Sequence, residues 1–198
     1  MMRIDSAWHF LKRFRSNRTA SAPAVKPLVA GWVLLCAAAV ALFAQETGVS
    51  AGGKWMKFST EDTMTAAKTV RLELEADNTL REGDPKPKVI IFCTDGKLSL
   101  GDFHPNLRIG PPDHPSFWGR PQMEVMVRVD NHHSRHGWNW VNGHFLSMDK
   151  GTTRELIGAS IFKVEFQTPR GPQIAEFTPV GLDLGLAHKA CGLTPKQP

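Results

Sequence analysis

Residues 28–44 read LVAGWVLLCAAAVALFA, seventeen positions without a charge. A run of this length sits at the short end for a helix that crosses a bilayer. It exceeds the hydrophobic stretch of an ordinary signal peptide, which runs to about 15 residues. Residues 1–27 before it hold Arg3, Lys12, Arg13, Arg15, Arg18 and Lys26 against Asp5 alone. Basic residues flanking an apolar run stay on the cytoplasmic side. The chain therefore reads as a bacterial inner-membrane protein with a single span, a cytoplasmic N-terminus and a periplasmic main domain. Cleavage after the small residues Ala39-Val40-Ala41 is the rival reading, and the long basic segment disfavours it. Of 24 basic and 19 acidic residues, removing the tail leaves eighteen of each. The exported part is thus neutral, which argues against a nucleic-acid partner, since such a partner requires a basic face.

Within the tail, Ile4, Ala7, Trp8, Leu11 and Phe14 recur at helical spacing, while Lys12, Arg13 and Arg15 fall mostly off that stripe. An amphipathic helix of this kind lies on an anionic membrane surface or docks on the cytosolic face of a partner. The organisation expected is a cytoplasmic tail (1–27), a transmembrane helix (28–44), a linker (45–53) and a periplasmic domain (54–198). Cys36 falls inside the apolar run. Cys93 and Cys191 fall in an oxidising compartment, where two cysteines are most simply a disulfide. Closing a loop across a separation of 98 residues restricts the unfolded chain by roughly 4–5 kcal/mol. No CxxC or CxxCH pattern competes for them.

Beyond the linker the pattern turns to strands. TVRLELEA (69–76) and MEVMVRVD (123–130) alternate apolar and polar, and KVIIFC (88–93) is continuously apolar. Asp95-Gly96 signals a hairpin. IFKVEF (161–166) and QIAEFTPV (173–180) flank the turn QTPRGP. GTTRELIGA (151–159) reads as a short helix capped by Thr152 or Thr153, and DLGLAHKACG (183–192) as a second, capped by Asp183 and ended by Gly192. Five prolines make 105–121 an irregular excursion. About seven strands and one or two short helices predict a mainly β fold, a β-sandwich preceded by the membrane helix.

NHHSRHGWNWVNGH (131–144) holds four histidines and two tryptophans in fourteen positions, the density of a candidate metal or catalytic site. His132 and His136 stand at i, i+4, the spacing of helical zinc ligands, with His144 further on. Asn, Ser and Gly make the histidine part read as a turn, so no metal site is favoured. From 138 onward, period two places Trp138, Trp140, Asn142 and His144 on one face, with Val141, Phe145 and Ser147 on the other. If the tryptophans point outward they form, with Phe117 and Trp118, an aromatic patch for a partner. If they point inward they are core. Ser147 and Ser160 lie in no nucleophile elbow, and Asp102, Asp130 and Asp149 form an acid pair only by chance. No catalytic or cofactor-binding residue is identified.

The order of landmarks resembles the periplasmic type VI secretion-associated proteins. GKW (53–55) is followed by AAKTVRLELEAD and the strand ending in Cys93 with the turn TDGK. VMVRVD, SMDKGTTRELIGA and the ending VEFQTPRGPQIAEFTPVGLDLGLAHKACG come next. The likeness spans about residues 53–193. The proline-rich stretch, NHHSRHG and the retained anchor depart from the family. What the resemblance implies is a small disulfide-containing β-sandwich that works as an accessory module rather than an enzyme. It would dock onto and stabilise a larger membrane complex and need no cofactor. Two alternatives stand beside it: an accessory subunit of a respiratory or photosynthetic complex, and a periplasmic metal-binding protein using His132, His136 and His144.

Overall fold

A computed structural model describes residues 47–114 and 119–194. The tail with Trp8, Leu11, Phe14, Lys12, Arg13 and Arg15, the apolar run 28–44, and Phe117 and Trp118 lie outside the described residues. No helix among the described residues is long and apolar enough to cross a membrane.

The elements are β1 (Val49–Ser50), β2 (Trp55–Glu61), β3 (Lys68–Glu75), β4 (Lys88–Thr94), β5 (Lys97–His104), β6 (Gln122–Val129), β7 (His132–Val141), β8 (Phe145–Met148), α1 (Lys150–Glu155), β9 (Phe162–Thr168), β10 (Gly171–Phe177) and α2 (Leu184–Cys191). The strands form one antiparallel sheet in the order β1-β2-β3-β4-β5-β8-β7-β6-β9-β10. The mainly β expectation is met, but the two separate sheets of a sandwich are not formed. Hydrogen bonding runs unbroken because the four-residue β8 pairs with β5 on one side and β7 on the other.

A single sheet buries one of its faces only by curling. β5 and β9 stand four places apart in the order, which on a flat sheet is roughly 19 Å. Yet the rings of Phe103 (β5) and Phe166 (β9) meet edge-on at 5.1 Å, and Phe103 also reaches Phe177 of β10 at 6.3 Å. The far ends meet as well. Just past β3, the Asp77 amide donates to the Glu176 carbonyl of β10 at 2.7 Å. Asn78 clamps the same strand, donating to the Ile174 carbonyl and accepting from the Glu176 amide. Gly52, at φ 97°, lies so close to Gly181 that a Cβ would meet the Gly181 carbonyl at 2.2 Å. Only glycine fits that closure. Alternate residues of each strand, such as Leu72 and Leu74, Val89 and Ile91, and Phe162 and Val164, turn into one continuous core.

Two short helices pack against the sheet, α1 against β5 and α2 against β4 and β5. α1 is capped by Asp149, whose carboxylate accepts from the Thr152 amide. Thr152 and Thr153, expected as caps, are instead inside the first turn and buried at 1% and 0% exposure. α2 begins on Asp183 and ends on Gly192 at φ 63°, as the sequence suggests. Cys191 at its end is bonded to Cys93 of β4, with Cα atoms 5.1 Å apart. The expected disulfide is therefore present, and it ties the last helix to a central strand.

Candidate functional site

The stretch NHHSRHGWNW is not a turn followed by a strand. From His132 onward it is all β7, paired with β6 from Val129↔His132 to Gln122↔Asn139. The turn is confined to Asp130-Asn131, with Asp130 at φ 50°. The Asp130 carboxylate is occupied by the Ser160 and Ile161 amides at 2.8 and 3.0 Å. On a strand, i and i+4 are about 13 Å apart along the axis, so His132 and His136 do not share a ligand. His144 is separated from both by a second turn, Asn142-Gly143, whose residues have φ 51° and 72°. Among the described residues no group of three or more His, Cys, Asp or Glu could hold a metal.

The inward face of β7 carries Ser134, His136, Trp138 and Trp140. Trp138 is fully buried, with its ring 6.1 Å from Phe103. Trp140 is half-buried against the core, and its indole N–H donates to the Gly110 carbonyl at 2.9 Å. Of the two orientations open to the sequence, the inward one is realised, and Trp138 has no surface to offer a partner. His144 is exposed. With His104, Asn106, Arg108 and Asn142 it lines a cleft of about 580 Å³. His104 stacks on Phe145 at 4.7 Å, and burial holds its imidazole below the usual histidine range, against the opposing pull of Glu73.

At the rim of the core, three side chains converge on the Asp149 carboxylate and Ser134 joins through one of them, a cluster that sequence reasoning missed. His136 Nδ1 lies 3.0 Å from Asp149 Oδ2 and His136 Nε2 lies 2.7 Å from Ser134 Oγ. Thr152 Oγ1 donates to the same Oδ2 at 2.6 Å, and the Trp138 indole N–H does so at 3.2 Å. Burial pushes the Asp149 carboxyl up, but the bonds from Thr152 and the neighbouring His136 outweigh it and hold the pKa below the ordinary value. Ser, His and Asp are thus in the hydrogen-bonded order of a hydrolase triad. A triad also needs converging N–H donors beside the nucleophile. Ser134 sits mid-strand opposite Val127, where the neighbouring β7 amides point to opposite edges and do not themselves make such a pair. Asp149 also caps α1, its Oδ1 accepting from the Thr152 amide. The cluster acts as a lock that fastens α1 to β7.

Asp102, the third carboxylate of the sequence reading, is in neither place. It sits on β5 between Ile90 and Ser147, is only 7% exposed, and its Oδ1 lacks a hydrogen-bond partner. Burial raises its pKa, partly countered by the Ser147 hydroxyl. A raised folded-state pKa means stability that is present below about pH 4 and lost as pH rises through the folded value. Asp102→Asn removes the buried charge and should therefore stabilise the domain at neutral pH by roughly 1–3 kcal/mol, the extra cost of burying a charged rather than a neutral polar group. The gain should vanish in acid. Chemical denaturation of both proteins at pH 7 and pH 3 tests this; equal midpoints at pH 7 would remove the argument.

No family model, curated protein or solved structure matches this chain.

Proposed function

We propose that this chain is a non-enzymatic, membrane-anchored periplasmic accessory subunit. Its β domain docks onto a larger membrane complex, of the type VI secretion kind by resemblance, and stabilises it. The apolar run 28–44 and the basic tail support the anchor. One observation supports docking above the rest: β7 has an open edge.

β8 covers only Asn139, Trp140 and Val141 of β7, leaving His132–Gly137 paired on one side alone. The Trp140 amide bonds back to Pro121 at 2.7 Å, which fixes the phase of the ladder. Even-numbered residues bond toward β6, so the N–H and C=O groups of His133, Arg135 and Gly137 point to the free side. Proteins usually blunt such edges. β1 is two residues long, and Asn78 covers part of β10, which also carries Pro172. Among the described residues no strand pairs with this side of β7 at 132–137, although Asp149 and Thr152 at the start of α1 reach His136, and an unpaired edge accepts an extended segment of a partner as an added strand.

Proline at His133 or Arg135 removes an outward N–H without touching the β6 ladder. Either variant should keep the melting temperature of the domain to within a few degrees. Each should weaken capture of membrane subunits in mild detergent at least about fivefold, one main-chain hydrogen bond's worth. If the unaltered protein runs alone and monomeric under conditions that preserve membrane complexes, the docking reading falls. A mature N-terminus near Leu42 or Gln45 would overturn the anchor.

A further inference from the structure

A depression of about 330 Å³ lies beside α2 and is lined also by Lys57 of β2 and by Lys68 and Val70 of β3. Its floor is apolar, made by Val70, Leu186 and Ala190, and Lys57, Lys68 and Lys189 ring it. None of the three ammonium groups is in an ion pair among the described residues, in contrast to Lys54, Lys88 and Lys163. Two carboxylates are near. Glu61 stands across the ladder from Lys68, and Asp95 lines the depression with its Oδ1 accepting the Lys68 amide at 3.1 Å. The disulfide fixes α2 on β4 and so holds Lys189 opposite the two strand lysines. Cations with no ion pair among the described residues, around an apolar floor, suit a ligand that is anionic at one end and greasy at the other.

The position of the depression in the chain narrows the ligand. Lys57 is the cross-strand partner of Val49 in β1, and Val49 is 64% exposed. Only residues 45–48 separate β1 from Ala44, the last residue of the apolar run. Covalent geometry limits that connection to about 18 Å, and the step across the ladder adds about 5 Å. Covalent connectivity alone thus keeps Lys57 within about 23 Å of Ala44.

We propose that this depression holds the phosphate headgroup of an anionic membrane lipid, with the three lysines on the phosphate and the glycerol region on Val70, Leu186 and Ala190. The inference rests on the anchor reading above. It gives the domain a fixed seat on the outer surface of the membrane rather than a free tether, with the β7 edge left for a protein partner.

The test uses the full chain in nanodiscs of phosphatidylcholine, with and without phosphatidylglycerol, and reads the acetylation rates of Lys57, Lys68 and Lys189 against exposed Lys150. Phosphatidylglycerol should protect the three lysines and leave Lys150 unchanged. In Lys57→Gln, protection of Lys68 and Lys189 should fall about fivefold, one lysine's share of attraction to an anionic surface. Equal protection in both lipids would mean shielding without recognition and would overturn the proposal. Protection by inorganic phosphate in phosphatidylcholine discs would assign the site to a soluble anion and overturn it too. No protection in a chain that stays in the disc defeats the pocket alone. A chain that does not enter the disc defeats the anchor reading, and the pocket with it.

Discussion

Replacing both bridged cysteines, as Cys93→Ala with Cys191→Ala, should lower the stability of the domain by about 4–5 kcal/mol. The bridge closes 98 residues of sequence, and the unfolded chain regains that freedom when it is removed. Domains of this size have about 5–15 kcal/mol in total, so the loss is a large share. A fall in melting temperature of roughly 10–20 °C follows from about 2–4 °C per kcal/mol. The effect should be uneven in space. α2 has eight residues, too few to persist as a helix in water without tertiary support, and buries only Ala187 and Cys191. Its amides should exchange with solvent first, and those of β3 and β4 last. Thermal melting and hydrogen exchange read both effects. A double variant that melts within a few degrees of the native protein would show that the core alone holds α2. Because the bridge also positions Lys189, its loss should weaken lipid protection at that residue even where the fold survives.

What could be read from the sequence follows a physical divide. Alternation announces a strand with one wet face, so β3 and β6 are legible within a residue or so, and the continuous run KVIIFC is legible as central β4. The caps of α2 are legible because Asp183 and Gly192 act on neighbours in sequence. β7 is harder. Its first half is polar on both sides because residues 132–137 lie at an open edge, so His, Ser and Arg there imitate a loop. The hairpin at Asn142-Gly143 is signalled by its own dipeptide, an Asn-Gly pair between Val141 and His144-Phe145. Extending period two through it carried His144 onto the tryptophan face and hid β8. Without β8, the bridge between β5 and β7 was missing, and one curled sheet looked like two. The Ser134–His136–Asp149 lock was not legible at all. It joins a strand to a helix cap thirteen residues away from His136, and no local pattern encodes a contact that depends on how β8 turns into α1.

Trp138 decides between the core and docking readings of the tryptophan strand, because the two predict opposite outcomes for one substitution. As a fully buried residue against Phe103, it should cost about 3–5 kcal/mol when cut back to alanine. Trp138→Phe should cost less, since it keeps most of the ring contact and loses chiefly the indole donor to Asp149. That carboxylate retains the Thr152 amide, the Thr152 hydroxyl and His136, so it is not left unsatisfied. Trp140→Ala should fall below Trp138→Ala, because Trp140 is only partly buried. A surface aromatic engaged with a partner behaves otherwise: its removal leaves folding intact and weakens association. Urea denaturation of the three variants, with membrane-subunit capture at a concentration where each is still folded, separates the cases. Trp138→Ala should lose stability in the predicted order while its folded fraction still binds. A variant that stays as stable as the native protein yet fails to bind would return Trp138 to the surface and oblige β7 to dock through its face rather than its edge.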